Sequence, residues 1–403
     1  MSLMQISTRV THNPSETLAV EALLSDLITD SLKSVLCYFT EDYDEHALRA
    51  AFVDSLPKNV SLIGASTCRG LMTNTGVHTG QVVAVMAIYD DEHSAYGNTL
   101  CRIQKDISIS ETVSASIDKT LENLDRVGEA PNFIVLHATP GIEEEVIATI
   151  DQKFGLPIPI IGGSAADNHI AGNWSLFTEE AAVNEGAAIQ LFFSSSNITT
   201  NFSAGYIPTE FNGIATKVQG RELLEIDHQP AQSVYREWIA DHAGIEVPKG
   251  FVFDLVTQYP LGRVAGTVFE QPYFKLSHPI KITGEEGIHL FTGICQGDNV
   301  TLMSGSIEQL IHRGARVVKE TKRNYSFEAK EIGAVCIICA GSMLLIKDEL
   351  ESLYIQIKNE LKDTPFICPF TFGEQGRFVG GDTGMVTSCS LPPVFTSRVN
   401  HTV

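Results

Sequence analysis

The sequence predicts an α/β protein: a duplicated α/β N-terminal domain followed by a mixed α+β C-terminal domain. Three observations carry this. Apolar runs of strand length alternate with segments whose apolar residues recur at helical spacing. The N-terminal half repeats itself, since Gly64 and Gly162 lie 98 positions apart and the strand starts Val35 and Phe133 are separated by the same 98. Beyond about residue 196 the polar punctuation Ser194-Ser195-Ser196-Asn197 opens a more β-rich texture. The boundaries expected from this are 1–30 for an N-terminal leader and helix, 31–196 for the first domain and 197–403 for the second.

In chain order, residues 16–32 carry Leu18, Leu23, Leu24, Leu27 and Ile28 at helical spacing, and 35–39 form a short strand. A second helix over 45–56 leads to a strand at 60–63, which runs into Gly64-Ala65-Ser66-Thr67, and 82–89 is a longer strand. The order then recurs: helix 109–124, strand 133–137, helix 142–154, strand 158–161 ending in Gly162-Gly163-Ser164-Ala165-Ala166-Asp167, and strand 187–193. In the second half, 213–219 and 222–226 read as a strand pair, 231–243 as a helix, and the Gly-, Pro- and aromatic-rich 251–279 as irregular. A meander over 280–282, 288–291 and 300–303 precedes a helix at 306–320. Strand 333–339, helix 344–361 and strand 366–372 follow, the last running into Gly373-Glu374.

A hydrophobic share of 43% against 19% charged residues gives core material for a folded chain. The net charge of −21 would repel a phosphate backbone, which argues against nucleic acid and anionic membrane surfaces as partners. No apolar run reaches the roughly 18 to 20 residues of a membrane span, and Met1 to Gln5 lack the parts of a secretory signal; Met4 suggests a short leader. A cytoplasmic location is the expectation. Eight cysteines in a chain this long form no disulfide framework. Only Cys336 and Cys339 have CxxC spacing, with no second pair or nearby His to complete a zinc set.

Three strand ends share one design, an apolar run that stops at Gly followed by small or polar residues. Glycine lets a backbone turn and lets a ligand approach it closely, and ligands of α/β sheets collect outside the carboxyl ends of strands. The candidate ligand-binding residues are therefore Gly64, Ser66, Thr67, Gly162, Gly163, Ser164, Asp167, Gly373 and Glu374. Asp167 and Glu374 would meet an ammonium, and Ser164 with backbone N–H groups a carboxylate. No Walker A, GxGxxG or GxSxG motif is present. Catalysis rests only on Ser164, His137 and Glu374 sharing such a pocket, and no catalytic residue is assigned.

The stretches Leu62-Ile63-Gly64-Ala65-Ser66-Thr67 and Ile160-Ile161-Gly162-Gly163-Ser164-Ala165-Ala166-Asp167, then Leu223 to Ala231, then Cys339-Ala340-Gly341-Ser342 with Pro369-Phe370-Thr371-Phe372-Gly373-Glu374, resemble in order the signatures of the FIST family. The chain departs from the family pattern at Ala65, where Cys is common, at Ser342, where Arg is common, and at Gln375. The resemblance implies a FIST N-type domain at 31–196 and a FIST C-type domain at 197–403. It implies a non-enzymatic sensor of a small ligand, with amino acids proposed for the family, that signals through a partner such as a histidine kinase or a cyclic-di-GMP enzyme. Some free-standing members are haem proteins that sense nitric oxide; haem needs an axial ligand, and His137 and His228 are the candidates.

Overall fold

Strands that are apolar on both faces need cover on both, and Leu32–Thr40 and Val83–Tyr89 are buried along almost their whole length. The computed structural model, which describes residues 4–202, 205–248, 253–268, 271–284, 286–323, 330–377, 383–386 and 390–397, supplies that cover by stacking sheets on sheets and helices on sheets.

The chain is built from three copies of one unit. Each copy runs strand, helix, strand, helix, strand, hairpin, strand. The first unit's four main strands are Gln5–Thr11, Leu32–Thr40, Ser61–Thr67 and Val83–Tyr89; the second unit's are Ala95–Arg102, Phe133–Ala138, Ile160–Gly163 and Gly186–Phe193. The third unit's are Asn197–Phe202, Lys330–Val335, Phe366–Thr371 and Ser390–Ser397. In all three sheets the spatial order is first, last, second, third. The second and third strands are parallel, and the last is antiparallel to both its neighbours.

The hairpin that follows each third strand leaves its own sheet and extends another. Gly70–Thr73 of the first unit pairs with Phe366–Thr371 of the third. Leu176–Thr178 of the second pairs with Ser61–Thr67 of the first, and Glu374–Arg377 of the third pairs with Ile160–Gly163 of the second. The exchange is cyclic, and so are its hydrogen bonds. Cys68 N donates to Phe370 O at 2.9 Å, Ala166 N to Ser66 O at 3.0 Å and Phe372 N to Ser164 O at 3.0 Å.

The inner faces of the three sheets share one core, to which Tyr38 and Met86, Val135 and Phe192, and Val335 and Ile367 contribute from the three units in turn. Helices close the outer faces: Glu16–Leu24 and Glu45–Ser55 on the first unit, Ile109–Asn123 and Glu143–Phe154 on the second, Ile307–Arg323 and Leu350–Leu361 on the third. Residues 207–304 are inserted in the third unit after its first strand. They form a separate antiparallel sheet from Ile207–Gln219 to Asn299–Ser304, packed on the helices Ala231–Ala243 and Phe253–Gln258.

The α/β class and the duplicated N-terminal half stand as the sequence predicts, and the third copy is added to them. Several elements differ from expectation. Residues 5–11, grouped with a leader, are an edge strand paired with Val83–Tyr89. The helix expected over 16–32 stops at Leu24. Within 251–279, Phe253–Gln258 forms a helix and Leu261–Val268 pairs with Gln271–Ser277, and the glycines make room for neighbours: a Cβ at Gly266 would enter the Tyr273 ring and one at Gly262 the Met303 side chain. The helix expected over 344–361 is divided into Ala340–Leu345, a 3-10 turn Lys347–Glu349 and Leu350–Leu361.

Candidate ligand site

A parallel pair of strands directs its carboxyl ends to one side of a sheet, where loops gather. The three units treat that side differently. On the first it is closed by the loop after Ile160–Gly163: Glu41 Oε1 accepts from Asn168 N at 3.0 Å, and Asn168 Oδ1 accepts from Arg69 N at 2.6 Å. Asp167 builds this loop. Its carboxylate accepts the backbone N–H groups of His169, Ile170, Ala171, Gly172 and Asn173, and so holds five residues around one anion. The conformation has a cost, since Ile170 sits at φ 56°, a region that β-branched residues avoid.

On the second unit the carboxyl ends meet a buried polar chain. Arg221, from the inserted domain, donates to Glu143 Oε2 at 3.0 Å and Glu144 Oε2 at 2.8 Å. Ser164 Oγ donates to Glu143 Oε1 at 2.6 Å and accepts from Gln375 Nε2 at 3.0 Å. Glu143, Ser164 and Gln375 are fully buried. A second Arg221 nitrogen donates to Phe291 O, and Gly293 N to Glu144 Oε1, so both glutamates fasten the inserted domain to the helix Glu143–Phe154.

On the third unit the inserted domain lies over the ends of Ile338–Cys339 and Phe366–Thr371 and leaves a narrow cleft with about 20 Å³ of free space, room for little more than one water. Its lining comes from three places: Cys339, Gly341, Leu344 and Phe372 of the third unit, Thr257, His278 and Phe291 of the inserted domain, and Ile170 from the Asp167 loop. The Phe291 and Phe372 rings are 6.4 Å apart, centre to centre. The polar groups lie together, with His278 Nε2 3.3 Å from Thr257 O and the Tyr206 hydroxyl donating to the same carbonyl at 2.7 Å. The gap beside them is kept open by Gly341. A Cβ there would stand 3.5 Å from Cys339 Sγ, 3.8 Å from Thr257 Cγ2 and 3.9 Å from His278 Nε2, all ordinary contact distances.

The structure brings the three glycine segments of the sequence together, but as packing. Gly64 lies within the strand Ser61–Thr67, where a Cβ would enter the Phe177 ring; Gly162 faces the Leu136 carbonyl and Gly163 the Thr371 side chain. Ser66 Oγ accepts from Ser175 N at 2.9 Å. Thr67 Oγ1 donates to Gly70 O and accepts from Phe370 N, both at 2.7 Å. Gly373 O accepts from Ser164 N at 2.9 Å, and Glu374 Oε1 from Cys339 N at 2.8 Å. As acceptors for a ligand ammonium, Asp167 and Glu374 are corrected: both are fully buried, and Asp167 already holds five donors, more than its four lone-pair directions serve singly. None of the nine lines the cleft; their neighbours Ile170, Cys339 and Phe372 do.

Neither candidate haem ligand fits that role. His137 lies between the first two sheets, fully buried, where its Nδ1 meets Gly163 O at 3.0 Å and its Nε2 meets the Tyr38 hydroxyl at 3.0 Å. A carbonyl only accepts, so Nδ1 carries the proton and Nε2 accepts from tyrosine. Burial holds this imidazole at a pKa of about 4, against the partial opposing effect of the Gly163 hydrogen bond. Both nitrogens are committed within the buried core. His228 is exposed on a tight turn, with Asp227 and His228 at φ 49° and 63°, and it lines none of the clefts described. Sequence reasoning missed His278, which stands in no motif, and missed Arg221 and Glu143, whose pairing joins distant segments.

Family models place a FIST N domain at residues 33–229 and a FIST C domain at 231–377. An uncharacterized protein of Methanocaldococcus jannaschii is 21% identical over 317 residues, 73% of this chain, and the match spans 58% of that relative's length. Among solved structures, the PurLQS complex of Thermotoga maritima aligns with 99% of this chain and 73% of its own at 10% identity and a TM-score of 0.23. T. maritima PurL with AMPPCP aligns with 98% of this chain and 73% of its own at 8% identity and the same score. A score of 0.23 is too low for either to inform fold or chemistry. No helix among the described residues is long and apolar enough to cross a membrane. With both domain models matched along most of its length, the chain belongs to the FIST family of sensory, ligand-binding domains.

Proposed function

We propose that this protein is a cytoplasmic, non-enzymatic sensor. Its ligand seats in the cleft between the inserted domain and the carboxyl ends of the third unit's parallel strands, and its state passes by contact to a signalling partner such as a histidine kinase or a cyclic-di-GMP enzyme. The observation that carries this reading is the make-up of the cleft. Three segments distant in sequence meet there, one of them holding Ile170 in a disfavoured conformation at the cleft, and strain of this kind gathers at ligand clamps. A ligand that displaces Ile170 or Leu344 on entering would bind the widened and closed arrangements of the cleft differently, which is what a population shift requires. An amino-acid ligand held by Asp167 and Glu374 is set aside, because both carboxylates serve backbone donors.

The test is a thermal-shift screen of the full chain against the amino acids, small aromatic compounds and hemin, repeated on Gly341→Leu. At least one compound should raise the wild-type Tm saturably and lose that effect in the variant. Stabilisation by none of them, or stabilisation that Gly341→Leu leaves intact, would contradict the assignment.

A further inference from the structure

We infer that the cleft takes a small uncharged ligand, largely apolar and aromatic. This rests on the cleft being the ligand site, and it names the class of molecule that the site selects. Among the described residues, no Asp, Glu, Lys or Arg lines the cleft. A zwitterion entering it would lose the hydration of an ammonium and a carboxylate and find no counter-charge for either, and unpaired charges in apolar surroundings are the costliest groups to bury.

What the cleft offers is two phenyl rings, Phe291 and Phe372, at an interplanar angle of 46°, with Leu344 and Ile170 beside them. The two rings already pack on one another, so an aromatic guest would extend that pair at its edge. Thr257 O already accepts from the Tyr206 hydroxyl and from His278 Nε2, which takes both of its lone pairs, so that carbonyl and the His278 Nε2 beside the cleft are satisfied within the protein.

Two features set the size limit. With about 20 Å³ free, the guest must displace side chains, and the two best placed to move are Ile170, 38% exposed on its strained loop, and Leu344, half-buried on the short helix Ala340–Leu345. The missing side chain of Gly341 opens space directly beside His278 Nε2. A one- or two-ring compound fits such a gap after a rotamer change in two residues, whereas a larger one would have to lift the inserted domain against the Arg221 clamp.

The experiment compares four probes on the full chain by thermal shift and by calorimetric titration: indole and phenol as neutral aromatics, benzoate as an anion of similar size, and phenylalanine as a zwitterion carrying the same ring. Indole and phenol should bind saturably, benzoate and phenylalanine at least tenfold more weakly, and Gly341→Ala should cut indole affinity at least tenfold while leaving the unliganded protein folded with an equal or higher Tm. Preferential binding of phenylalanine or benzoate that Gly341→Ala abolishes would overturn the ligand class and leave the cleft as the site. Binding of no probe, or binding indifferent to Gly341→Ala, would remove both readings. Should Gly341→Ala misfold, Leu344→Ala gives the same information with the opposite sign, since enlarging the cleft should strengthen binding of indole.

Discussion

The second and third units present the same carboxyl strand ends to the same inserted domain, and the two contacts are opposite in kind. At the second unit the contact is polar and saturated: Arg221 grips Glu143 and Glu144, and Ser164 and Gln375 extend the chain into the core. At the third unit it is apolar and incomplete, with Phe291, Phe372 and Leu344 around space that Gly341 leaves vacant. One repeated scaffold thus supplies a rivet in one copy and an open cleft in the next. The lesson is that the ends of the third strands, whose cyclic hydrogen bonds recur in all copies, belong to the scaffold. The differences between copies carry the function.

The largest effect should come from the rivet. Arg221→Ala leaves Glu143 buried without its cation and should cost about 3–5 kcal/mol, read by chemical denaturation, with earlier proteolytic release of the inserted domain. Adding Glu143→Gln should recover part of the loss. A single variant within 1 kcal/mol of wild type would make the clamp ornamental.

A second effect separates core from cleft by pH. Burial holds His137 near 4, below its ordinary value of 6.5, so the unfolded chain takes up the proton first as pH falls. Its contribution is full above about pH 6.5, declines between 6.5 and 4, and levels off below, amounting to roughly 3 kcal/mol across the window. His137→Gln should flatten that portion of the stability profile without changing indole binding at pH 7.5. An unchanged slope would show that the imidazole is not held neutral.

Asp167→Ala removes the acceptor of five backbone donors. The loop is at the surface, so water replaces part of what is lost, and the expected cost is about 2 kcal/mol. Hydrogen exchange should rise over 168–173 and spread to the cleft through Ile170. Exchange unchanged in that loop would refute its dependence on the carboxylate. The smallest effect is a gain: Ile170→Gly relieves the left-handed strain and should stabilise the unliganded protein by about 1 kcal/mol while weakening indole binding. Tighter binding in that variant would contradict the role of Ile170 in covering the cleft.

Much of the fold was legible. The offset of 98 residues found two units but not the third. That third unit stayed hidden because residues 207–304 separate its first strand from the rest and erase the period. Cys368 also stands where the first two units have Gly64 and Gly162, as the matching hydrogen bonds of Phe370, Ser66 and Ser164 place it. Gly64 read as a turn because a strand glycine that makes room for a ring, here Phe177, looks the same in sequence as one that bends the chain. At the site, Asp167 was legible as a residue of consequence, but its partners are backbone N–H groups, which every residue carries and no motif records. His278 and Phe291 gave no signal, since a lone histidine and a lone phenylalanine acquire meaning only from what the fold sets beside them.

A ligand seated between the inserted domain and the third unit would be seen in an anomalous-diffraction map of the full chain crystallised with 5-bromoindole. One strong bromine peak is expected in contact with Phe291, Phe372 and Gly341, with Ile170 or Leu344 displaced. A peak at another place, with the cleft still closed, would contradict that placement.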